Sequence, residues 1–363
     1  MLGSMTYPGR LPRPAQIALA FVAATTACGT AAVSAPADSG VLADAQETPD
    51  ASIADAAADA SADCPTNTWC PVAVPYSGGF GKVRAATGDL WWTGAAGHPE
   101  QTGAVFRWNG GTPVAVGTTV EAWLNDLWVV TEKSITAVGG SRTAAVAQWN
   151  GSSWVLDSPA SGLGLYAVTM LGADTWAGGG DPQDGTLTLF RSTAGKWLDW
   201  STKPETLPGV VLDFWASSPT ALWAVGRVAG HAGRGYIANW DGAKWKPVVD
   251  SASDRVSAIW GASASDAWAV GASGVVYHFD GNTWSANRRS DNANLTAIAG
   301  SGPNDVWAAG YASDFTSAVV LHWNGQQWTD ESPVAASQLR GIGVVGKTVV
   351  VVGTGGVLRR NLP

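Results

Sequence analysis

Short apolar runs separated by glycine-bearing turns dominate the chain from Asp89 onward, and one phrase of run and turn recurs. Asp305-Val306-Trp307-Ala308-Ala309-Gly310 is followed, after a short gap, by His322-Trp323-Asn324-Gly325-Gln326-Gln327-Trp328. The phrase repeats at Asp266–Gly271 with His278–Trp284, and at Leu222–Gly226 with Asn239–Trp245. Weaker copies stand at Asp174–Gly179 with Lys196-Trp197, and at Ile135–Gly139 with Trp149–Trp154. The outer two are Asp89–Gly94 with Trp108-Asn109-Gly110, and Val349–Gly353.

The phrase-ending glycines are 94, 139, 179, 226, 271, 310 and 353, a spacing of 39–47 residues. Short strands at that period, punctuated by glycine turns, predict the blades of a propeller. The expected fold is all-β, a seven-bladed β-propeller with four-stranded antiparallel blades spanning 64–363. In each copy a short apolar run such as Leu295-Thr296-Ala297-Ile298 gives the first strand and the Asp-Val-Trp phrase the second. The Asn-Gly and Asp-Gly pairs predict hairpins between the third and fourth strands, because glycine accepts the positive φ of such turns. Tryptophans at fixed positions suit the wedge between blades. The seventh copy stops at Val357–Asn361 without a fourth strand, while Asn67-Thr68-Trp69 matches Asn282-Thr283-Trp284. The segment Asn67–Val74 is therefore expected to complete the last blade, which removes free sheet edges.

The first 63 residues read differently. Arg10 and Arg13 precede the apolar run Ile17–Ala24, and small residues lead to Cys28, the layout of a secretory signal over residues 1–27. Residues 28–63 are rich in Ala, Ser, Pro and Asp, with seven acidic residues and no Lys or Arg, which predicts a disordered tether. Of three cysteines, Cys64 and Cys70 remain beyond Cys28; in an oxidising compartment they are the natural pair for a disulfide. They flank the matched turn, so the bridge would staple it.

Charge narrows the partners. The net charge is −8, most of it in the tether, so the propeller is nearly neutral and lacks the basic excess that nucleic acid requires. No phosphate loop, nucleophile elbow or His-Glu-x-x-His motif is present. Of the four histidines, His278 and His322 share one repeat position with Arg107, Gln148, Arg191, Asn239 and Arg360, expected to be a solvated strand face. His98 and His231 fall in separate loops, so neither a metal nor another cofactor is expected. Asp89, Asp174, Asp266 and Asp305 recur before the second strand and are expected to cap that turn through their own backbone.

Thr25-Thr26-Ala27-Cys28 resembles the lipobox of bacterial lipoproteins, with Thr25 where that motif usually carries Leu; the resemblance implies lipidation of Cys28. The repeat resembles bacterial secreted β-propellers, distantly the Asp-box (BNR) repeats of sialidase-like proteins. Asp280-Gly281-Asn282-Thr283-Trp284 carries the likeness, though the residue between Asp and Gly is absent. Kelch-type proteins are a second similar group. The likeness implies the fold and leaves function open.

Aligning the first strands gives a second position filled by Arg84, Asn125, Tyr166, Leu212, Ser257, Thr296 and Arg340. Closure would set Arg84 beside Arg340, a pair able to clamp a carboxylate or sulfate. Asp126 and Asp213, at the third position, are expected to flank a cation or sugar hydroxyls, and Tyr166 is the inner-strand tyrosine. The loops after the second strands, carrying His98, Glu100, Asp181, Asp184, Arg234 and Asp314, form the other candidate surface. The leading expectation is a monomeric, exported lipoprotein at the outer membrane or cell surface, or a secreted protein. It would act as a non-enzymatic scaffold for a protein or polysaccharide partner, touching membrane only through a lipid anchor. The alternative is a sialidase-like or lyase-like glycan enzyme at the channel mouth, with Arg84, Arg340 and Arg255 as its arginine trio.

Overall fold

The computed structural model describes residues 64–363 apart from 76–77, 96–101, 141–142, 160–161, 219–220 and positions 232, 253, 335 and 337. The segments expected to be signal and tether, with Cys28, and also His98 and Glu100, lie outside the described residues. Seven sheets of four antiparallel strands follow one another along the chain. The first blade runs Gly79–Ala86, Asp89–Ala95, Gly103–Trp108 and the two-residue outer strand Val114–Ala115. The seventh is built from both ends of the chain: Leu339–Val345, Thr348–Gly353 and Gly356–Asn361 are joined by Trp69–Val72. There Trp69 pairs with Arg360 and Val72 with Val357. Among the described residues no helix is long and apolar enough to cross a membrane.

The recurring glycine has a steric cause. A Cβ on Gly139 would stand 1.7 Å from the Trp123 carbonyl oxygen, and one on Gly310 2.0 Å from that of Asn294. The second strand thus ends where the chain entering the first strand crosses it, with no space for a side chain. The Asp/Asn-Gly turns have an equally local cause. Asp280 Oδ1 accepts from the amides of Asn282 and Thr283, both at 2.8 Å, while Gly281 takes φ +94°. Asn324 and Gly325 repeat the arrangement, with bonds of 3.0 Å and φ +90°.

Indoles fill the gaps between blades. Trp176 of the third blade lies 5.0 Å from Trp240 of the fourth, and Trp268 of the fifth 5.2 Å from Trp323 of the sixth. The third-strand position expected to be a solvated face is used for packing. Arg191 lies over Trp176 at 5.3 Å, and His278 and His322 stack on Trp268 and Trp307 at 4.0 Å. Each of these cations or imidazoles pairs with the aspartate that opens the second strand: Arg191 with Asp174, His278 with Asp266, His322 with Asp305. Those aspartates were expected to cap their turn through its backbone. Each instead accepts from a side chain of the neighbouring strand, and where that side chain is the stacked Arg191 the bond is charge-assisted. Burial would raise the Asp305 carboxyl, but bonds from His322, Ser301 and Trp307 outweigh it and hold the group below its ordinary range.

At the closure, Cys64 and Cys70 place their sulfurs 2.07 Å apart, at bonding distance, with Cα atoms 5.9 Å apart. Asn361 Nδ2 donates to the Cys64 carbonyl at 2.9 Å and the Asn67 amide to the Asn361 carbonyl at 2.8 Å. Arg360 pairs with Glu331 at 2.7 Å over the Trp69 ring, which ties the N-terminal strand to the sixth blade as well.

Candidate binding site

The first strands surround the propeller axis, and the second position in six of them is a β-bulge. Register shifts flank Asn125, Tyr166, Leu212, Ser257, Thr296 and Arg340. A bulge leaves its residue outside the ladder and re-aims the side chain. Here that brings all six onto one cavity of about 290 Å³ at the channel mouth. Two of them also link blades: Asn125 Nδ2 donates to the Leu165 carbonyl at 2.7 Å, and Thr296 Oγ1 to that of Leu339 at 2.8 Å.

In the first blade the sequence alignment is three residues out. Phe80 pairs with Gly94, the place Leu124 takes against Gly139, and the irregularity falls at Gly81-Lys82. Arg84 therefore does not sit beside Arg340 at the mouth. It turns toward the axis, donating from Nε to Asp126 Oδ1 at 3.0 Å and from Nη2 to Asp126 Oδ2 at 2.6 Å and Asp213 Oδ1 at 2.9 Å. Lys82, which the alignment passed over, holds the equivalent of the Asp126 position. Its Nζ donates to Asp213 Oδ1 at 2.6 Å and to the Leu212 carbonyl at 2.8 Å, and stands 3.5 Å from Asp126 Oδ2.

These four side chains, from the first, second and fourth blades, form a charge-balanced bolt across the axis. Asp126 is 0% exposed and Asp213 3%. The remaining carboxylate bonds run to backbone: Asp126 accepts from the amides of Leu127 and Val168, and Asp213 from those of Phe214 and Ile259. Each carboxylate thus bridges its own blade to the next. Desolvation works against an ionised Asp213, but the charges of Lys82 and Arg84 prevail and hold its carboxyl below the ordinary range. The same burial disfavours the Arg84 cation, and Asp126 and Asp213 reverse the effect.

Above the bolt the cavity is cationic. Lys82, Arg227, Arg255 and Arg340 line it with Tyr166 and Ser257, and no Asp or Glu does so among the described residues. Arg340 is exposed and has no ion pair among those residues. Among the described residues Arg255 donates to the Tyr311 hydroxyl, at 3.5 Å, and Arg227 to the Asp181 carbonyl, at 3.1 Å. Ser257 is 9% exposed, and its Oγ has no hydrogen-bond partner among the described residues. Burial, with Asp181 nearby, raises the Tyr166 hydroxyl above its usual range against the opposing charge of Arg227.

Of the predicted residues, Arg340 and Tyr166 meet at the mouth, while Arg84, Asp126 and Asp213 meet in the bolt. Gly81 stands at the mouth where Arg84 was expected, and Arg227, from the fourth blade, is a mouth arginine that the alignment of first strands did not include. It lies just past the phrase-ending glycine of the fourth blade, and only folding brings it back to the axis. The loops after the second strands are shaped by their own aspartates: Asp181, Asp184 and Asp314 accept from the amides of Gln183, Thr186 and Thr316. No group of three or more His, Cys, Asp or Glu side chains is placed to hold a metal among the described residues.

No family model and no curated protein matches the chain. Solved structures that resemble it are propellers at low identity. A structure of YCF48 bound to D1 peptide is 16% identical with a TM-score of 0.58, over 83% of this chain and 100% of that one. Virginiamycin B lyase from Staphylococcus aureus is 13% identical with a TM-score of 0.61, over 82% and 99%. The GH74 enzyme of Niastella koreensis is 13% identical with a TM-score of 0.60, over 80% of this chain and 53% of its own. The chain has the β-propeller fold that peptide-binding and enzymatic proteins share.

Proposed function

We propose that the protein is an exported binding propeller, tethered to the cell envelope through Cys28, that grips a protein partner by an acidic group seated in the mouth cavity. The observation that carries this reading is one cavity lined by three arginines and the unpartnered hydroxyl of Ser257, with no acid lining it among the described residues. Guanidinium forks bind carboxylates in bidentate fashion, and a hydroxyl left without a partner in a buried place is a donor awaiting an acceptor. The peptide held by YCF48 supports a polypeptide as the kind of partner. The Cys64–Cys70 bridge and the Asp-box-like turns fit an exported propeller of the secreted bacterial type.

The glycan-enzyme alternative draws on the same arginines beside Tyr166. A hydrolase of that kind also needs a carboxylic acid at the reacting bond, and no carboxylate faces the cavity among the described residues. The test is titration of the full chain with a glutamate-rich peptide, followed by heat. Saturable binding that Arg255→Ala/Arg340→Ala abolishes, and that weakens with salt, is expected. Binding untouched by the double substitution, or turnover of a sialoside that the substitution removes, overturns the reading.

A further inference from the structure

A second cavity, of about 460 Å³, opens on the rim between the first and second blades, away from the mouth. Its existence is an exception to the packing elsewhere. Where a second-strand tryptophan faces an aromatic ending the third strand of the next blade, the rings normally meet. Trp176 and Trp240 are 5.0 Å apart, Trp223 and Phe279 5.2 Å, Trp268 and Trp323 5.2 Å. The corresponding pair here is Trp91 and Trp149, and among the described residues they make no ring contact. The segment Val114–Gly117 lies between: Trp154 Nε1 donates to the Val116 carbonyl at 2.6 Å, and a Cβ on Gly117 would stand 2.5 Å from the Trp149 ring.

The lining is part apolar and part polar. The half-buried Trp149 indole and Val114, 63% exposed, offer apolar surface. Arg107, Glu132, Lys133 and Asn109 surround it. Charge is balanced, because Arg107 pairs with both Asp89 and Glu132, while Glu132 leaves Lys133 as its counterweight. A net-charged ligand gains little from such a wall, in contrast with the cationic mouth. The Glu132 side chain is 53% exposed and keeps acceptor capacity beyond its bond to Arg107.

We propose that this rim cleft binds a neutral sugar unit of a polysaccharide, independently of the mouth. A pyranose ring presents an apolar C–H face and an equatorial fringe of hydroxyls that both donate and accept. The indole of Trp149 with Val114 meets the first; Glu132, Asn109 and Lys133 meet the second. The volume falls in the range of roughly 300–1,000 Å³ usual for small-ligand sites.

The test titrates the full chain with neutral cello-, manno- and chito-oligosaccharides, read by tryptophan fluorescence and by calorimetry. At least one series is expected to bind and shift the emission. Val114→Asp and Glu132→Gln, both on exposed positions, are expected to weaken it by at least about tenfold with the melting temperature unchanged. Trp149→Phe removes part of the platform and is expected to weaken binding less than Trp149→Ala. Arg255→Ala/Arg340→Ala is expected to bind as the wild type does, which separates this site from the mouth. Failure of every series to bind, binding that Val114→Asp and Glu132→Gln leave unchanged, or binding lost only in the mouth variant overturns the proposal.

Discussion

Asp213→Asn is the sharpest probe of the bolt. In the native protein Oδ1 accepts from Lys82, Arg84 and the Phe214 amide, and Oδ2 from the Ile259 amide. An asparagine retains one acceptor oxygen and turns an NH2 either toward the Ile259 amide or toward two cations. Either way a donor faces a donor, in a site where the native carboxylate is 3% exposed. The bolt also becomes a net cation. Breaking a buried pair by removing one partner costs about 3–5 kcal/mol, so a loss near 3 kcal/mol is expected, or roughly 5 °C in melting temperature for a propeller of this size. Adding Lys82→Met restores neutrality, and the double variant is expected to be more stable than the sum of the singles predicts. Acidity gives an independent reading. Because the folded Asp213 carboxyl is held below its ordinary value, its stabilisation is complete above the unfolded pKa of about 4 and is lost as pH falls through the folded value. Wild type should therefore lose more stability than Asp213→Asn between neutral pH and strong acid. Calorimetry and denaturant melts across pH measure both. A single-variant cost below about 1 kcal/mol, or strict additivity with Lys82→Met, refutes the reasoning.

Other outcomes follow from the same contacts. Gly310→Ala forces a Cβ to 2.0 Å from the Asn294 carbonyl; a loss of about 3 kcal/mol, the upper range for overpacking, is expected in denaturant melts. Cys64→Ser, or reduction of the wild type, should each cost about 2 kcal/mol for a loop this short, and a reductant should not shift the melting of the variant. Asp305→Asn keeps an oxygen for His322 and the Trp307 indole, which both use Oδ1, but loses the negative charge and the Oδ2 acceptor of Ser301; its stability deficit, measured by calorimetry, should narrow as pH falls from about 4 through the lowered folded value of the native carboxyl.

How far the sequence could be read depended on whether a feature is local. The turn glycines and their Asp or Asn partners act within a few residues, so the repeat period displayed them and counted the blades. Closure was legible because the chain ends each carried a fragment of one phrase: Trp69 pairs with Arg360, where the unfinished copy required it. The bolt was not legible. Gly81-Lys82 offers no apolar anchor, and Val83 is a tempting first residue, so the alignment slid past Phe80 and put Arg84 at the mouth. Nor did the third-strand position betray its use. Arg, His, Gln and Asn look interchangeable on a solvated face, and the stacked Trp and paired Asp become visible only when neighbouring strands are in register.

The bolt and the mouth depend on each other in one direction only. Arg84 reaches from the first blade to Asp213 on the fourth, across the axis, so the cavity above it has a closed floor. The cavity is flanked by segments that follow the second strands, where Asp181 holds Arg227 by its carbonyl and Tyr311 meets Arg255. The bolt also absorbs two carboxylates that lie beneath the mouth. Were Asp126 and Asp213 unpaired, they would neutralise the arginines above them and leave an incoming acid little field to respond to. Lys82 and Arg84 satisfy them below, and Arg255 and Arg340 stay available above. An Arg84→Met variant should therefore weaken binding of a glutamate-rich peptide at the mouth, although Arg84 itself does not line that cavity. Salt titration would separate this from a packing defect, since a field effect shrinks as ionic strength rises. An affinity that Arg84→Met leaves unchanged at low salt would show that the floor and the cup are electrostatically separate.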